Sequence, residues 1–518
     1  MSLKYFLPLS MGIILLGSGC KKLEDFGDTN VNPYGSATPI TAALLTNAEV
    51  QLGVVIAGVA SGGVEAGLFA QYFSETQYTE SSLYQEPKLE FGSLYGGTAN
   101  PPPAAQGPLM DLQQIINRNT DPSTKDVVSS SGSNANQIAI ATILKTYYIW
   151  TITDRWGDVP YTEALQGSAN YTPKYDEQKD IYTTMLAELK GAIAGFDAGP
   201  AMQGDIMYGG NQAKWKKLAN TLRMFIALRM SKVFPNPGQL AATEFALAEN
   251  DVNGSIETNA DNFTINFPGN TFNNRWYEIY NGRSDYAFSK TIADIMTNMS
   301  DARKAAFSSN NTAFPYGLTR DDAIDFTASV AGNYAKVLSD ANRDKNSPLN
   351  VVNAATSLLA RAEAVERGWI PGNAANLYAQ GITQSFAQWG VSDQAADYIA
   401  SPQANYANGT GGGANIGANA YGSIVGADAI TDNALERIAL QRYLAHYPDG
   451  IQGWSVWRRT GVPNLKPTTE ATNSPGKQIP RRYVYATNEY SLNPTQVAAA
   501  IARLTGGDVM SAKIWWDK

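Results

Sequence analysis

The chain has 518 residues, 44% hydrophobic and 17% charged, the balance of a folded globular body and not of a disordered or membrane-embedded one. Its 47 acidic residues outnumber 39 basic ones, and a net charge of −8 argues against a nucleic-acid partner. A single cysteine rules out an intrachain disulfide, so stability must come from packing.

Lys4 opens the chain and a mostly apolar run follows from Tyr5 to Leu16, too short to span a bilayer as a helix. Gly17, Ser18 and Gly19 then lead to Cys20. The segment resembles a bacterial lipoprotein signal. That resemblance implies removal of residues 1–19 and acylation of the Cys20 thiol, two acyl chains being enough for stable attachment to a membrane. Residues 20–39 are polar and rich in Asn, Asp, Gly and Pro, and read as a tether; residues 40–518 read as one domain. No other apolar run approaches a membrane-spanning length.

From Ile40 onward the pattern is helical. Gln71 to Leu94 alternates aromatic and polar residues, and Pro101-Pro102-Pro103 breaks what precedes it. Ile140, Ile143, Leu144, Tyr147 and Trp150 recur at helical spacing, as do Tyr182, Met185, Leu189 and Ile193. Trp215, Leu218, Leu222, Phe225 and Ile226 make the cleanest stripe, and Ala355, Leu358, Leu359, Ala362 and Val365 repeat it. Asn493, Pro494 and Gln496 predict a capped helix start. Asn250 to Leu349 and Ser401 to Gly426 lack period and predict long loops, functional or else mobile. The fold class is therefore all-α: a helical scaffold carrying long irregular insertions.

Several strings occur in a telling order. Asp154-Arg155-Trp156-Gly157-Asp158-Val159-Pro160-Tyr161 comes first, then Lys214-Trp215 and Ala219-Asn220-Thr221-Leu222-Arg223. Ala360-Arg361-Ala362-Glu363-Ala364 and Trp457-Arg458-Arg459-Thr460-Gly461 follow, and Ile479-Pro480-Arg481-Arg482 closes the series. In this order they resemble the SusD/RagB family of nutrient-binding outer-membrane lipoproteins, in particular its SusD-like branch. The resemblance implies tetratricopeptide-like helix pairs, a cell-surface position on the outer membrane, and a SusC-type TonB-dependent transporter as partner. It implies an oligosaccharide as ligand, or a peptide in the RagB-like branch. Expected pairs are Gln137–Trp156 with Asp180–Phe196, Asn211–Val233 with Gln239–Glu249, and Val351–Arg367 with Asn373–Gln388. A fourth joins Asp428–Tyr447 to the stretch around Trp454–Trp457. The motif residues read as scaffold, with Arg458, Arg459, Arg481 and Arg482 bridging elements through carboxylates such as Glu363 or Glu489.

Chemistry for catalysis is sparse. His446, the only histidine, stands at a helix end, and no metal-protease, nucleophile-elbow or phosphate-loop motif occurs. A glycan hydrolase is thus a minor reading, no catalytic residue is assigned, and no cofactor is called for. Asp340, Asn342, Asp344 and Asn346 alternate like a calcium loop, but Lys345 and Val351 replace its glycine and its bidentate glutamate, so no metal is expected. Binding is the chemistry that the sequence equips. A sugar site needs exposed rings with amides, carboxylates or guanidinium groups around them. Asn274, Arg275, Trp276, Tyr277 and Tyr280 supply that mixture inside an irregular region, and Tyr78, Tyr84 and Tyr316 are further candidates.

Overall fold

The computed structural model describes residues 40–59, 62–85, 89–97, 107–406, 433–472 and 477–518. Thr41–Lys518 forms one compact unit; Met1–Ile40 is counted separately, and Cys20 and the tether lie outside the described residues. The helices that carry the architecture are α1 (Thr41–Ala57), α2 (Gly63–Phe69), α3 (Pro108–Thr120), α4 (Asn134–Trp156), α5 (Gln178–Gly195), α6 (Gln212–Arg229) and α7 (Leu240–Glu249). They continue with α8 (Arg275–Ile279), α9 (Lys290–Asn298), α10 (Arg320–Ser329), α11 (Ala354–Glu366), α12 (Ala374–Gln388), α13 (Asn433–His446) and α14 (Gly450–Thr460). Among the described residues no helix is long and apolar enough to cross a membrane.

Local chemistry starts these helices. The side chain of Ser133 accepts from Asn136 N ahead of α4, Asn211 from Lys214 N ahead of α6, and Asn353 from Thr356 N ahead of α11. Asp449 caps α14 by accepting from Ile451 N and Gln452 N. Each such cap contributes about 1 kcal/mol. Gly157 ends α4 at φ +89°, and Gly461 ends α14 in the left-handed region, conformations open to glycine because it lacks Cβ.

The helices pack as neighbours: α4 on α5, α6 on α7, α11 on α12, and α13 on α14, the four expected pairs. Several boundaries differ from the periodicity, with α4 starting at Asn134 and α5 at Gln178. Val351 and Val352 belong to a strand before α11, and Met230–Lys232 is a 3₁₀ turn after α6. The start of the fourth pair, 428–432, falls outside the described residues. Asn493 does not cap its helix through its side chain; its amide donates instead to Pro173 O at 2.7 Å. A long-range acceptor has outcompeted the local cap.

Among the described residues, strands are short and occur in three antiparallel two-stranded ribbons: β1 (Phe73–Glu75) with β5 (Tyr286–Phe288), β2 (Val159–Pro160) with β3 (Tyr175–Asp176), and β4 (Phe263–Ile265) with β6 (Leu349–Val352). They pin the irregular segments to the helical body.

The ordered motifs hold the pairs together. Asp154 is fully buried, accepts from Trp516 Nε1 at 2.9 Å and from the Tyr182 hydroxyl, and faces Arg229 at 3.4 Å. Asp158 accepts from Gln178 N at 2.8 Å, joining the turn after α4 to the start of α5. Glu363, on α11, is gripped by Arg459 of α14, Arg442 of α13 and Arg367 one turn away. The other expected bridges differ. Arg458 donates to the carbonyls of Asp154 and Arg481 and lies 3.6 Å from the Trp454 ring centroid. Arg481 pairs with Asp517 and Arg482 with Asp508, while Glu489 accepts from the Tyr175 hydroxyl.

Candidate functional site

Two irregular segments and one helix converge on a cleft of about 300 Å³: the chain after β1, the chain before β5, and α10. The ribbon register sets its floor, because pairing of Glu75 with Tyr286 carries Thr76 beside Asp285. Thr76 N donates to Asp285 O at 2.9 Å, and the hydroxyls of Thr76 and Tyr334 both donate to Ser284 O at 2.7 Å. Gln77, Asp285, Ile324 and Thr327 line the walls.

Tyr78 stands next to this cleft with 45% of its surface exposed. The guanidinium carbons of Arg283 and Arg320 each lie 5.6 Å from its ring centroid, close enough for cation–π attraction to hold the ring in place. Arg283 also pairs with Asp285 at 2.6 Å. An anchored ring, an amide, a carboxylate and two guanidinium groups therefore share one exposed edge. Such a set can stack on a flat CH face and bond to hydroxyls.

The loop carrying Tyr78 is held from beneath by two buried carboxyls. Glu75 accepts from Ser82 N at 2.7 Å and from Ser82 Oγ at 2.5 Å. Burial pushes its carboxyl up to about 8, with neighbouring Glu65 adding to the effect. Burial likewise pushes Glu65, on α2, up to about 7 against an opposing bond from Ser81. α2 reaches this position by close approach to α14: a Cβ on Gly450 would fall 2.1 Å from Gly67 N, so neither helix tolerates a side chain there.

No comparable set of reactive groups accompanies the cleft. His446 is buried among Arg442, Arg229 and Arg459, and burial first, then these charges, hold it well below the usual imidazole range and so neutral. Among the described residues no group of three or more His, Cys, Asp or Glu side chains could hold a metal ion. In the calcium-like loop, Asp340 pairs with Arg343, and Asn342 donates to Ala306 O and Ser339 Oγ.

The family model described as "Starch-binding associating with outer membrane" matches residues 33–486. The chain belongs to the SusD-like family. Solved structures agree over nearly the whole length. A chitin-binding SusD homologue from Flavobacterium johnsoniae is 25% identical with a TM-score of 0.70, covering 92% of this chain and 98% of its own. Another described as a chitin-binding protein is also 25% identical, with a TM-score of 0.71, covering 92% of this chain and 99% of its own. A SusD homologue from Parabacteroides distasonis, 22% identical, shares the fold with a TM-score of 0.75 over 93% of this chain and 98% of its own. No curated protein matches the chain. SusD-like membership supports carbohydrate binding in nutrient uptake, in association with the outer membrane.

The sequence-predicted ligand residues fare unequally in this SusD-like chain. Trp276 is fully buried, edge-on to Phe73 with centroids 4.9 Å apart, and offers no face to a sugar. Asn274 is also buried, its side chain accepting from Trp276 N to cap α8. Tyr84 is wholly inside, against Phe69. Arg275 lays its stem on α1 at Gly53, 3.2 Å from where a Cβ there would stand. Tyr280 is half-buried, its hydroxyl donating to Tyr286 O and accepting from Val337 N. Tyr316 is half-buried against the core. Only Tyr78 and Tyr277, the latter 38% exposed, present substantial ring surface, and among the described contacts Tyr277 does not meet Tyr78. Arg283, Asp285, Arg320 and Ile324 escaped the sequence reading; their one signal was membership of the irregular Asn250–Leu349 region.

Trp276→Ala is therefore expected to behave as a core truncation, lowering unfolding free energy by about 3–5 kcal/mol. Chemical denaturation measures this, and oligosaccharide affinity per folded molecule should stay within about twofold of the parent.

Proposed function

We propose that this chain captures an oligosaccharide at the cleft beside Tyr78 and hands it to a SusC-type TonB-dependent transporter in the outer membrane. Cys20, acylated, would hold it at the cell surface, and the protein would release its ligand unchanged. The observation that carries the reading is the exposed Tyr78 ring, flanked by Arg283 and Arg320 at the mouth of a cleft built from irregular loops. Two chitin-binding relatives place chitin oligosaccharides first among the probes, with maltooligosaccharides second.

Calorimetric titration with chitohexaose, maltoheptaose and a mixed peptide digest tests this. One of the two glycans is expected to bind, and Tyr78→Ala to weaken it at least tenfold, about 1.4 kcal/mol. Equal affinity in the parent and the variant would remove the Tyr78 cleft as the site, and heat from the peptides alone would remove the glycan assignment. Fractionation tests the anchor: Cys20→Ser should shift the protein from the membrane pellet to the soluble fraction. An unmodified Cys20 in the intact-mass spectrum of the membrane-bound protein would contradict it.

A further inference from the structure

A second cleft, of about 390 Å³, lies between α3, α4, α5 and the loop after β2. None of its lining residues contributes to the Tyr78 cleft. Its centre is an ion pair left unusually open. Lys145 of α4 has only 14% of its side chain exposed, yet its nearest oxygen partners are Gln113 Oε1 at 3.5 Å and Glu188 Oε1 at 3.7 Å. Both exceed the 2.7–3.2 Å of an ordinary N–H···O bond, so a largely buried ammonium carries donors with no close acceptor among the described residues. On the opposite side, Glu188 Oε2 is taken by the Tyr161 hydroxyl and, at 3.4 Å, by Thr146, while Oε1 has only the distant ammonium.

The geometry thus sets a donor and an acceptor side by side, both short of partners and both facing one cleft. With 28% of the Glu188 side chain exposed, solvent completes the hydrogen bonding of this loose pair, and a ligand that supplies matching hydroxyls can displace that water. Neighbouring hydroxyls on a sugar ring match this arrangement: one donates to the carboxylate while the next accepts from the ammonium. The surrounding side chains suit the same ligand. Gln113 and Asn117 offer amides from α3, and Thr184 a hydroxyl from α5. Leu165, held at φ +63°, adds an apolar contact from the loop. Lys145 and Glu188 cancel in charge, which favours a neutral ligand over an ionic one.

We infer that this cleft is a second carbohydrate subsite, specific for a neutral sugar with vicinal hydroxyls, in which Lys145 and Glu188 together hold one diol. Its volume accommodates one or two sugar rings, at the lower end of small-ligand sites.

Saturation-transfer NMR and titration with methyl α-D-glucopyranoside, methyl α-D-mannopyranoside and methyl α-D-galactopyranoside test the inference on the full chain. At least one glycoside should bind the parent and the Tyr78→Ala variant equally, because the two clefts share no residue. Lys145→Gln and Glu188→Gln should each weaken that binding at least tenfold, with Gln113→Ala, which removes a neutral amide and leaves both charged partners in place, weakening it less. Circular dichroism and the thermal midpoint of each variant report its folding, and Gln113→Ala keeps the test open should either charge variant misfold. Absence of glycoside binding to the parent overturns the inference, as does loss of all binding in Tyr78→Ala or unchanged binding in folded Lys145→Gln and Glu188→Gln. Failure here leaves the Tyr78 reading intact, since that reading is tested by long oligosaccharides and by Tyr78 itself.

Discussion

Replacing Glu363 by Ala should lower the free energy of unfolding by about 3–5 kcal/mol, the usual consequence of removing one partner from a buried ionic cluster. Glu363 is 1% exposed and meets Arg367 at 2.8 Å, Arg442 at 3.1 Å and Arg459 at 2.5 Å. Its loss leaves these guanidinium groups without their shared counter-charge, in a region that also contains Arg229 and a neutral His446. Arg442→Met should cost less, because the carboxylate keeps two partners. Denaturant melts of both variants decide this. Equal stability of Glu363→Ala and the parent would mean that water or rearranged acceptors satisfy the arginines. The surrounding arginines, Arg459 foremost, hold the Glu363 carboxyl far below the usual range despite its burial. Its contribution is thus present above about pH 4.5 and fades as the pH falls.

Raising the pH should weaken the fold through a different group of carboxyls. Glu65 and Glu75 are lifted from the ordinary 4.5 to about 7 and about 8, chiefly by burial. A carboxyl raised in the folded state binds a proton more tightly there than in the unfolded chain. Its contribution is complete below about pH 4.5 and is lost as the pH climbs through the folded value. At 1.36 kcal/mol per pH unit the two correspond to roughly 3 and 5 kcal/mol, with coupling between them reducing the sum. Asp449, raised to about 6 by burial, acts in the same direction. Greatest stability is therefore expected at about pH 5–6, with a marked decline by about pH 9. Glu75→Gln should flatten that decline, because a neutral amide no longer has a proton to lose. Thermal melts across pH 5–9 measure both effects, and parallel profiles for parent and variant would refute the assignment. Ser81 and Ser82 donate to these two carboxyls and favour their ionised forms, so the decline reflects the cost of burying charge and not the loss of these bonds.

The helix pairs were legible because their signals are local. Spacings such as Ile140–Ile143–Leu144–Tyr147, and caps such as Ser133 and Asn353, act within one or two turns. Where a distant partner intervened, local reading failed. Asn493 has the chemistry of a cap yet spends its amide on Pro173, 320 residues away. Likewise, Glu363 could be recognised as a bridge, but the partners of Arg481 and Arg482 were visible only once the C-terminal segment had folded back on them.

The binding edge shows the same division more sharply. Trp276 and Tyr277 are adjacent and chemically alike, and both sit in an irregular, Asn-rich stretch; one is wholly buried and the other 38% exposed. Consecutive residues on a single helical turn point about 100° apart, and only packing against Phe73 selects which ring turns inward. By itself the sequence determined an acidic, cysteine-poor chain, its helical scaffold and the ordered strings of a SusD-like protein. Tertiary structure alone decided which aromatic rings meet solvent and which charges meet one another, because exposure and pairing depend on contacts between residues hundreds of positions apart.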